Sequence, residues 1–533
     1  MCHPALRVCG PGRNMLVAHP VYSLLNPRIR LRQSPCGCRS RLWLEGRASY
    51  SRRVMVISRI DVEPIYARHP YARVVLDRLA AAGHDAFLIG GVVRDAVVAR
   101  LEGHPSAPRE VDIATSAQTA TVLALFKERP IVRVGERFGV LRIVPETGAP
   151  VEVATFRTEG DYDGRRPQRV AATDELAQDV RRRDLTVNGL AARADGELID
   201  LVGGIKDLRA RCIRAIGDPA VRFAEDRLRM LRAVRFACQL GGTIHPDTAD
   251  AIRDEAGGLA LISRERISAE LFRLLETPRS AEGVELLNDL GLLEVVLPEV
   301  AALQGVPQPE EYHPEGDVYV HTVAAVRVAD RFVSDPLVKL AVLLHDIGKP
   351  QALLRSGGAN MGGHCAMGAR RAAAVARRLR LSREQTHRLG FLIKNHMRIA
   401  DFPRMGRGKQ VRFMSEGEVP DGADLAARFP QFAALLQLLV ADCEASAHKA
   451  SGWAPVLHEA LRVVEHMDEV GSLAKARSLI DGDVLIGMGV EPGPGLGRIL
   501  RSLHDRILSG EIATAEAARE AARRMIDASR ERT

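Results

Sequence analysis

The sequence predicts an α+β protein in which a small domain with a mixed sheet precedes several domains made almost entirely of helices. Apolar runs of strand length, bounded by glycine or polar residues, fall at residues 86–89, 131–134, 139–144 and 151–156. From about residue 205 onward, apolar side chains recur at helical spacing instead. Aromatic residues make up 4% of the chain, so its core must consist mainly of Leu, Val, Ile and Ala, which suits packed helices.

The length of 533 residues predicts roughly three to four globular domains. Stretches rich in Gly, Pro or acidic residues supply the boundaries. We expect a basic tail at residues 1–54, the mixed α/β head at 55–203, a helical neck and body at 204–305, a second helical domain at 306–455 and a helical C-terminal region at 456–533.

Most of the positive charge lies in the tail, residues 1–54. The formal net charge is +8, but the tail holds ten Arg, no Lys and one acidic residue, Glu45, so the remaining residues sum to −1. Any surface that binds a polyanion must therefore be a local patch. The tail has the composition of an organelle-targeting peptide, although its prolines interrupt any helix. We favour the alternative that it is a translated upstream region and that Met55 is the true start.

The cysteines and the hydropathy pattern favour a cytoplasmic protein. Four of the eight cysteines lie in the tail, and the other four are scattered without close pairing, which is typical of reduced thiols. Cys36 and Cys38 lack the further ligands of a zinc site, so none is expected there. A run of about 18 apolar residues, which would predict a membrane span, is missing. The oligomeric state stays open.

Two glycines end the first strand and open a helix at residues 88–95 (LIGGVVRD). Gly90 and Gly91 let the backbone approach a ligand closely, and a helix N-terminus offers free N–H groups to phosphate. Arg94 adds a cation within the first helical turn, next to Asp95. By itself, this motif is as compatible with an ordinary turn as with a phosphate site.

Two carboxylates follow at residues 110 and 112, within the sequence REVDIATS. Side chains at i and i+2 of a strand point to the same face, so Glu110 and Asp112 can share hard cations such as Mg²⁺. Two such ions can activate a hydroxyl group and stabilise a leaving pyrophosphate. An acidic pair of this kind is more often a solvated strand face.

Together and in this order, the motifs resemble the head of the class II branch of the CCA-adding enzyme and bacterial poly(A) polymerase family. The family's Gly-Gly-x-Val-Arg-Asp and Asp-x-Asp motifs correspond to residues 90–95 and 110–112. Its Thr-Phe-Arg motif, flexible loop and Arg-Arg-Asp-x-Thr-x-Asn motif correspond to residues 155–157, 159–167 and 182–188. The resemblance implies a nucleotide pocket built from Gly90, Gly91, Arg94, Asp95, Arg157, Arg183, Asp184 and Asn188.

The resemblance also implies that Glu110 and Asp112 are the catalytic residues and hold Mg²⁺. Glu110 stands where the family has Asp. The extra methylene keeps the charge but changes the geometry, which puts the strength of Mg²⁺ binding at this position in question. Gly189, where the family has Ala, is a smaller departure.

Asp226, Arg229 and Arg232 are spaced at i, i+3 and i+6, and we expect them along one helix face. On an ordinary surface helix, such pairs contribute a few tenths of a kcal/mol. Cytosine and adenine both present an amine donor beside a ring-nitrogen acceptor, which a carboxylate and a guanidinium can recognise. Uracil and guanine reverse that pattern. The family's Glu-Asp-x-x-Arg motif matches here, which implies that Asp226 and Arg229 select the base.

A second set of ligand-type residues lies in the domain at 306–455. A lone His-Asp pair is usually structural, but this set suits a transition metal that activates water. The order of the residues resembles the HD phosphohydrolase family, which implies one metal site and a second site beside it. The set comprises His321, His345, Asp346, His364, His396 and Asp442.

The two resemblances imply template-independent addition of C, C and A to the 3′ end of tRNA from CTP and ATP, with a fused phosphohydrolase. The C-terminal region would bind the RNA. A poly(A) polymerase, or an A-adding or CC-adding enzyme with a partner, remains an alternative. The residues that resemble the HD phosphohydrolase family favour CCA addition over poly(A) addition. Residues 262–267, which resemble part of the neck of CCA-adding enzymes, favour it as well. A rival of another class is a metal phosphohydrolase or nucleotide sensor whose head only binds RNA.

Overall fold

The computed structural model describes residues 57–104, 108, 110–135, 139–162, 167–308, 316–416, 425–446, 451–470 and 473–530. The basic tail and Met55 lie outside these residues. The described chain forms two compact units, one before Leu297 and one from Leu297 onward. None of the described helices is long and apolar enough to cross a membrane.

The first unit is built on a seven-stranded sheet with the order β3-β4-β5-β2-β1-β8-β9. Neighbouring strands are antiparallel except β2 and β5, which are parallel. The sheet is therefore mixed, and the predicted α+β class is confirmed. Its strands are β1 (Ala86–Ile89), β2 (Asp112–Thr115), β3 (Ile131–Gly135), β4 (Val140–Ile143), β5 (Val151–Thr155), β8 (Leu190–Ala192) and β9 (Leu198–Asp200).

Two further strand pairs lie outside this sheet. β6 (Arg157–Tyr162) and β7 (Pro167–Ala172) form an antiparallel hairpin. β10 (Cys212–Ile213) and β11 (Thr243–Ile244) form a short parallel pair. The segment expected as a flexible loop at 159–167 is thus paired strand where it is described, because residues 157–160 and Tyr162 pair with residues of β7. Residues 163–166 lie outside the described residues.

Helices surround the sheet and continue beyond it in the first unit. A buried cluster that includes Phe87, Ile89 and Phe156 joins the sheet to the neighbouring helical segment through Val180. The helices are α1 (Glu63–Arg68), α2 (Pro70–Ala81), α3 (Gly91–Glu102), α4 (Thr119–Leu125), α5 (Leu176–Arg181), α6 (Gly204–Ala210), α7 (Pro219–Glu225), α8 (Leu228–Leu240), α9 (Pro246–Glu255), α10 (Arg264–Leu275), α11 (Ser280–Asp289) and α12 (Leu293–Val296).

The described elements of the second unit are helices joined by turns. α14 packs on α21 and α17 packs on α18, which creates a largely apolar core. The helices are α13 (Pro298–Ala301), α14 (Val318–Ala329), α15 (Pro336–Leu344), α16 (Lys349–Arg355), α17 (His364–Arg378), α18 (Arg383–Asn395), α19 (Arg407–Met414), α20 (Leu425–Arg428), α21 (Pro430–Ala445), α22 (Ala454–Val470), α23 (Leu473–Leu479), α24 (Gly482–Gly487), α25 (Pro494–Leu508) and α26 (Ala515–Arg530).

Candidate functional site

The acidic pair lies at the start of β2, on the solvent side of the sheet. Glu110 precedes the strand and Asp112 is its first residue, so the expectation that both lie within a strand was wrong by two residues. Both residues are exposed, while Val111 between them is buried. The alternation therefore still directs the two carboxylates to the same side.

A third carboxylate that sequence reasoning missed lies beside them. Glu152 is the partner of Asp112 across the parallel strands β2 and β5. Its side chain accepts a hydrogen bond from Arg142 Nε at 3.1 Å. In the sequence, Glu152 stands out only as the one acidic residue within Val151–Thr155. Its position beside Asp112 depends on the register in which β5 pairs with β2.

The crowding of negative charge shifts the pKa of the Asp112 carboxyl group. Although the residue has exposed surface, the surrounding protein desolvates its carboxyl group, and the charges of Glu152 and Glu110 add to this effect. Together they raise the pKa of Asp112 to about 6, against the opposing influence of Arg183. A cluster of carboxylate oxygens is the donor set that Mg²⁺ prefers, so these residues fit the ion.

The turn between β1 and α3 requires glycine at its first position. Gly90 has a φ of 75°, a left-handed conformation that favours glycine. A Cβ atom at this position would lie 3.4 Å from Nη1 of Arg183, in van der Waals contact, so the backbone conformation rather than a lack of space explains the glycine. α3 begins at Gly91, and its free N–H groups lie beside β2 because β1 and β2 are neighbours.

Arg94 does not project from this turn as a free cation. Its Nη1 donates to Oδ1 of Asn188 at 2.8 Å, and its Nε donates to Asp95 at 2.8 Å. The guanidinium also lies over the ring of Phe236, 4.8 Å from the centroid. The residue is 5% exposed. Arg94 therefore connects the turn to Asn188 and α8.

Asp184 and Asn188 continue this network to α8. The Oδ1 atom of Asp184 accepts from Asn188 Nδ2 at 3.2 Å, and its other oxygen accepts from Arg232 Nε at 2.6 Å. Burial alone would raise the pKa of Asp184, but Arg232 and these hydrogen bonds hold the pKa well below its usual range. This pair joins the predicted pocket residues to the helical part of the unit.

We expect Arg232→Met to destabilise the first unit by about 3–5 kcal/mol, because it leaves the charge of Asp184 buried without its main partner. The side chain of Asp184 is 8% exposed. Since the native pKa lies below the unfolded one, the stabilisation is present at neutral pH and is lost only in acid. Urea unfolding followed by hydrogen exchange in the first unit measures the loss.

The matched control is Arg273→Met, which removes an ion pair of a 57% exposed arginine on α10. It should cost less than about 1 kcal/mol. The double variant Asp184→Asn/Arg232→Met should recover part of the lost stability. If Arg232→Met alone had the same free energy of unfolding as the wild type, the expected effect would be contradicted.

The cations of the head are held in place by carboxylates that the sequence analysis did not single out. Nε of Arg157 donates to Glu159 at 2.7 Å, and Nη2 of Arg183 donates to Asp179 at 3.2 Å. Arg182 bonds both acids. Asp179 is 1% exposed. These acids fix the orientation of the guanidinium groups.

The expected helix face of Asp226, Arg229 and Arg232 is only partly formed. α8 begins at Leu228, whereas Asp226 has extended backbone and precedes the helix. The expectation that all three share one face was wrong at Asp226, because its carboxylate accepts from the N–H of Leu228 at 3.2 Å and so lies ahead of the helical turn.

Asp226 and Arg229 also have separate partners. Nη2 of Arg266, on α10, donates to Asp226 at 2.6 Å. Arg229 pairs with Glu225 and donates to the carbonyl of Arg182 at 3.0 Å. A base could therefore meet these side chains only by competing with or supplementing those contacts.

In the second unit, the structure brings all six expected metal ligands together. His321, His345 and Asp442 each direct one ligand atom to a common point, with those atoms within 4.8 Å of one another. His364 and His396 form a second group, which also includes Cys365. Cys365 was missed because a cysteine next to a histidine does not by itself predict a metal ligand. Only the fold brings His396 close to both residues.

The histidines of the second group carry their ring protons on the side away from the cluster. Nδ1 of His364 lies 2.9 Å from the carbonyl of Met361, and Nδ1 of His396 lies 2.8 Å from that of Ile393. A carbonyl only accepts, so each Nδ1 donates and each Nε2 is left with a lone pair. The two Nε2 atoms are 3.3 Å apart. Burial lowers the pKa of His396 to about 4, so two neutral lone pairs converge.

Asp346 lies between the two groups. Its Oδ2 is 3.1 Å from Nε2 of His345, and its Oδ1 is 3.5 Å from Nε2 of His364 and 3.8 Å from that of His396. The side chain is 2% exposed, and neither oxygen has a well-directed hydrogen bond. Oδ2 is also 2.6 Å from Nζ of Lys349, whereas Oδ1 faces only imidazole nitrogens, and a buried carboxylate oxygen in that position fits a divalent cation.

A cavity of about 690 Å³ opens onto these ligands. Asp346, His364, His396 and Asp442 line it, together with Lys349, whose Nζ lies 2.6 Å from Asp346. The backbone at residues 358–361 forms another part of the wall. A cation beside a group of metal ligands suits an anionic substrate such as a phosphate ester.

Comparison with known proteins concentrates on the first unit. Residues 86–214 match the family of the poly A polymerase head domain, and residues 242–303 match a probable RNA and SrmB-binding site of polymerase A. The CCA-adding enzyme of Lacticaseibacillus paracasei is 46% identical over 202 residues, 38% of this chain and 48% of the relative. That of Bacillus subtilis is 43% identical over 221 residues, 41% of this chain and 53% of the relative. The chain spans about half the length of these curated relatives.

Solved structures extend the similarity of fold. The CCA-adding enzyme of Bacillus stearothermophilus in complex with CTP has a TM-score of 0.60 and 26% identity, and the match covers 88% of this chain and 99% of that chain. The Thermotoga maritima CCA-adding enzyme complexed with tRNA has a TM-score of 0.52 at 16% identity, with 88% and 99% coverage, and supports the fold alone. The head of this chain is thus similar to the heads of CCA-adding enzymes, and the α+β fold of the chain is similar to theirs.

Proposed function

We propose that this protein adds C, C and A to the 3′ end of tRNA from CTP and ATP. The observation that carries the proposal is the group of Glu110, Asp112 and Glu152 beside the glycine turn at the start of α3. The relatives over this segment are CCA-adding enzymes, and the solved structure at 26% identity is a complex with CTP. A cytoplasmic location, where tRNA and nucleotides are available, belongs to the same proposal.

In this proposal, Glu110 and Asp112 would hold Mg²⁺ against the triphosphate. When bound there, Mg²⁺ would supply charge neutralisation at the reacting phosphates and would lower the pKa of a nearby hydroxyl. The N–H groups after Gly90 bind phosphate oxygens. Arg183, which interacts electrostatically with Asp112, adds positive charge where pyrophosphate leaves. Catalysis of phosphoryl transfer of this kind is mainly positioning and charge neutralisation.

The remaining pocket residues position these groups. Arg94 and Asn188 connect the glycine turn to Asp184 and Arg232, so that the nucleotide site and α8 move together. Asp95 orients Arg94, and Arg157 is held by Glu159 for contact with the nucleotide.

Base selection falls to Asp226 and Arg229. The Asp226 carboxylate accepts from the exocyclic amine shared by cytosine and adenine, while Arg229 donates to the adjacent ring nitrogen. Glu225 and Arg266 hold the two side chains. Uracil and guanine would leave both groups unpaired.

The direct test offers tRNA lacking its 3′ end with CTP and ATP, separately and together. Termini that stop after CCA support the proposal. Long A tails would identify a poly(A) polymerase, and a single A or CC alone would identify a partial enzyme that needs a partner. No extension at all would favour a head that only binds RNA.

A basic cavity that suits RNA phosphates is shared by the C-terminal region and the end of the domain at 306–455. The cavity measures about 980 Å³ and lies among α19, α25 and the 3-10 helix at Arg398–Arg404. Ser415, 5% exposed, lines it with a buried hydroxyl that has no hydrogen-bond partner. Two acids, Glu416 and Asp505, are outnumbered by the cations around it, which are Arg398, Lys409, Arg412, Arg477, Arg498 and Arg501.

We expect Arg498→Glu/Arg501→Glu to weaken tRNA binding and to reduce its dependence on salt. Each lost phosphate contact should lower the salt slope by about 0.7–0.9. Filter binding over a range of salt concentrations measures both effects. Arg519→Glu, an exposed arginine of α26 outside the cavity, is the matched control. Equal weakening by the control would show that general charge, rather than the cavity, binds the RNA.

We propose a second activity, the metal-dependent hydrolysis of phosphate esters, for the second unit. His321, His345 and Asp442 would hold one transition-metal ion and His364 and His396 a second, with Asp346 lying between the two groups. When bound there, such ions would lower the pKa of water and polarise the phosphate ester. Lys349, in the cavity wall, would bind the phosphate oxygens.

A further inference from the structure

Cys365 lies at the start of α17, directly after His364, and its Sγ is 3.5 Å from Nε2 of that histidine. Sγ and the Nε2 atoms of His364 and His396 all lie within 4.8 Å of one another. We propose that Cys365 is a thiolate ligand of the second metal ion, and that it makes this position selective for zinc-like ions over Mg²⁺ and Mn²⁺. The inference rests on the metal centre proposed above.

A cation fits the point at which these atoms meet. Nδ1 of both histidines donates to backbone carbonyls, so the two Nε2 lone pairs face each other across 3.3 Å. The repulsion between the two lone pairs is relieved by a shared proton or by a metal cation that both nitrogens bind, and a metal ion also accommodates the sulfur beside them. The sulfur of Cys365 faces the same point.

The buried carboxylate of Asp346 indicates a cation at the same point, independently of the cysteine. Asp346 is buried, and its Oδ1 points at the two Nε2 atoms without a well-directed hydrogen-bond partner. With Cys365, the donors become two imidazole nitrogens, one sulfur and one carboxylate oxygen. Four ligands of these types are a set that zinc accepts.

The two metal positions then differ in chemistry. His321, His345, Asp442 and Asp346 offer nitrogen and oxygen alone, whereas the second position adds sulfur. Thiolate ligands favour Zn²⁺, Co²⁺ or Cd²⁺ over the hard ions Mg²⁺ and Mn²⁺. The second position should therefore retain a thiophilic ion under conditions in which the first exchanges its ion.

The test titrates Co²⁺ into the metal-free full-length protein and records its absorption spectrum. We expect a thiolate-to-cobalt charge-transfer band in the near ultraviolet for the wild type. The band should be lost in Cys365→Ser and retained in Cys212→Ser, a half-buried cysteine of the first unit. Competition with a chelator should show that Cys365→Ser binds Zn²⁺ at least about tenfold more weakly at one position, the loss that even an outer-shell partner causes.

The outcomes separate this inference from the proposed centre. Visible cobalt bands without the charge-transfer band, or a band unchanged in Cys365→Ser, would overturn the role of Cys365 and leave the metal centre standing. No Co²⁺ binding would overturn both. Cys365→Ala should behave as Cys365→Ser does, which excludes weak ligation by the serine hydroxyl, and circular dichroism confirms that the variants are folded.

Discussion

Asp112→Asn should reduce nucleotide addition by at least about a thousandfold, because it removes a charged oxygen ligand at the point where the reacting phosphates must be neutralised. The loss of several kcal/mol of transition-state stabilisation corresponds to a factor of this size. Asparagine keeps the size of the side chain and relieves the repulsion with Glu110 and Glu152 that contributes to the raised pKa of Asp112. The fold should therefore be at least as stable as the wild type. Single-turnover incorporation of labelled CTP into tRNA lacking its 3′ end measures the loss.

The matched control is Glu146→Gln, which neutralises an 80% exposed carboxylate beyond β4 in the same unit. It should leave the rate within about twofold, as expected of a surface charge. Hydrolysis of phosphate esters should be unchanged in Asp112→Asn. Near wild-type addition by this variant would mean that the carboxylates beside β2 are not the site of the chemistry.

The sequence was most informative where chemistry is local along the chain. Gly90 ends a strand and directly precedes a helix, so the turn and the start of α3 followed from residue type alone. The carboxylates at 110 and 112 faced one side because Val111 is apolar. The mixed sheet and the later helices followed from the change of period near residue 205.

The features that could not be predicted from the sequence depend on strand register and on long-range packing. Glu152 meets Asp112 because β5 pairs with β2 in one parallel register, which strand periodicity does not specify. Asp226 appeared helical by spacing, yet its carboxylate accepts from the N–H of Leu228, and α8 begins only at Leu228. Such side-chain competition with the backbone is a common property of aspartate at helix ends.

The metal ligands illustrate both cases. The order of His321, His345 and Asp442 predicted one site through family resemblance, and their atoms do converge. Cys365 could not be predicted, because its relation to His396 depends on the packing of α17 against α18. The carbonyl contacts that orient the imidazoles are likewise invisible before folding.

Asp346→Asn should remove the proposed phosphohydrolase activity and the proposed binding of at least one metal ion, while the proposed nucleotide addition continues. Asp346 is the residue whose two oxygens face the two ligand groups, so the substitution replaces one charged oxygen donor with an amide nitrogen that has no lone pair for a metal. The rate of phosphate ester hydrolysis should fall by at least about a thousandfold. Metal content after dialysis, measured by mass spectrometry, should fall from two ions per chain to one or none.

Asp401→Asn, which alters a 65% exposed carboxylate of the same unit, should change neither quantity. The prediction matters most beside that for Asp112→Asn, since the two variants should fail in opposite activities. Loss of both activities in Asp346→Asn would indicate that addition depends on the metal centre of the second unit. Retention of hydrolysis and of two ions would show that Asp346 does not hold the metal ions and serves only as a buried partner of Lys349.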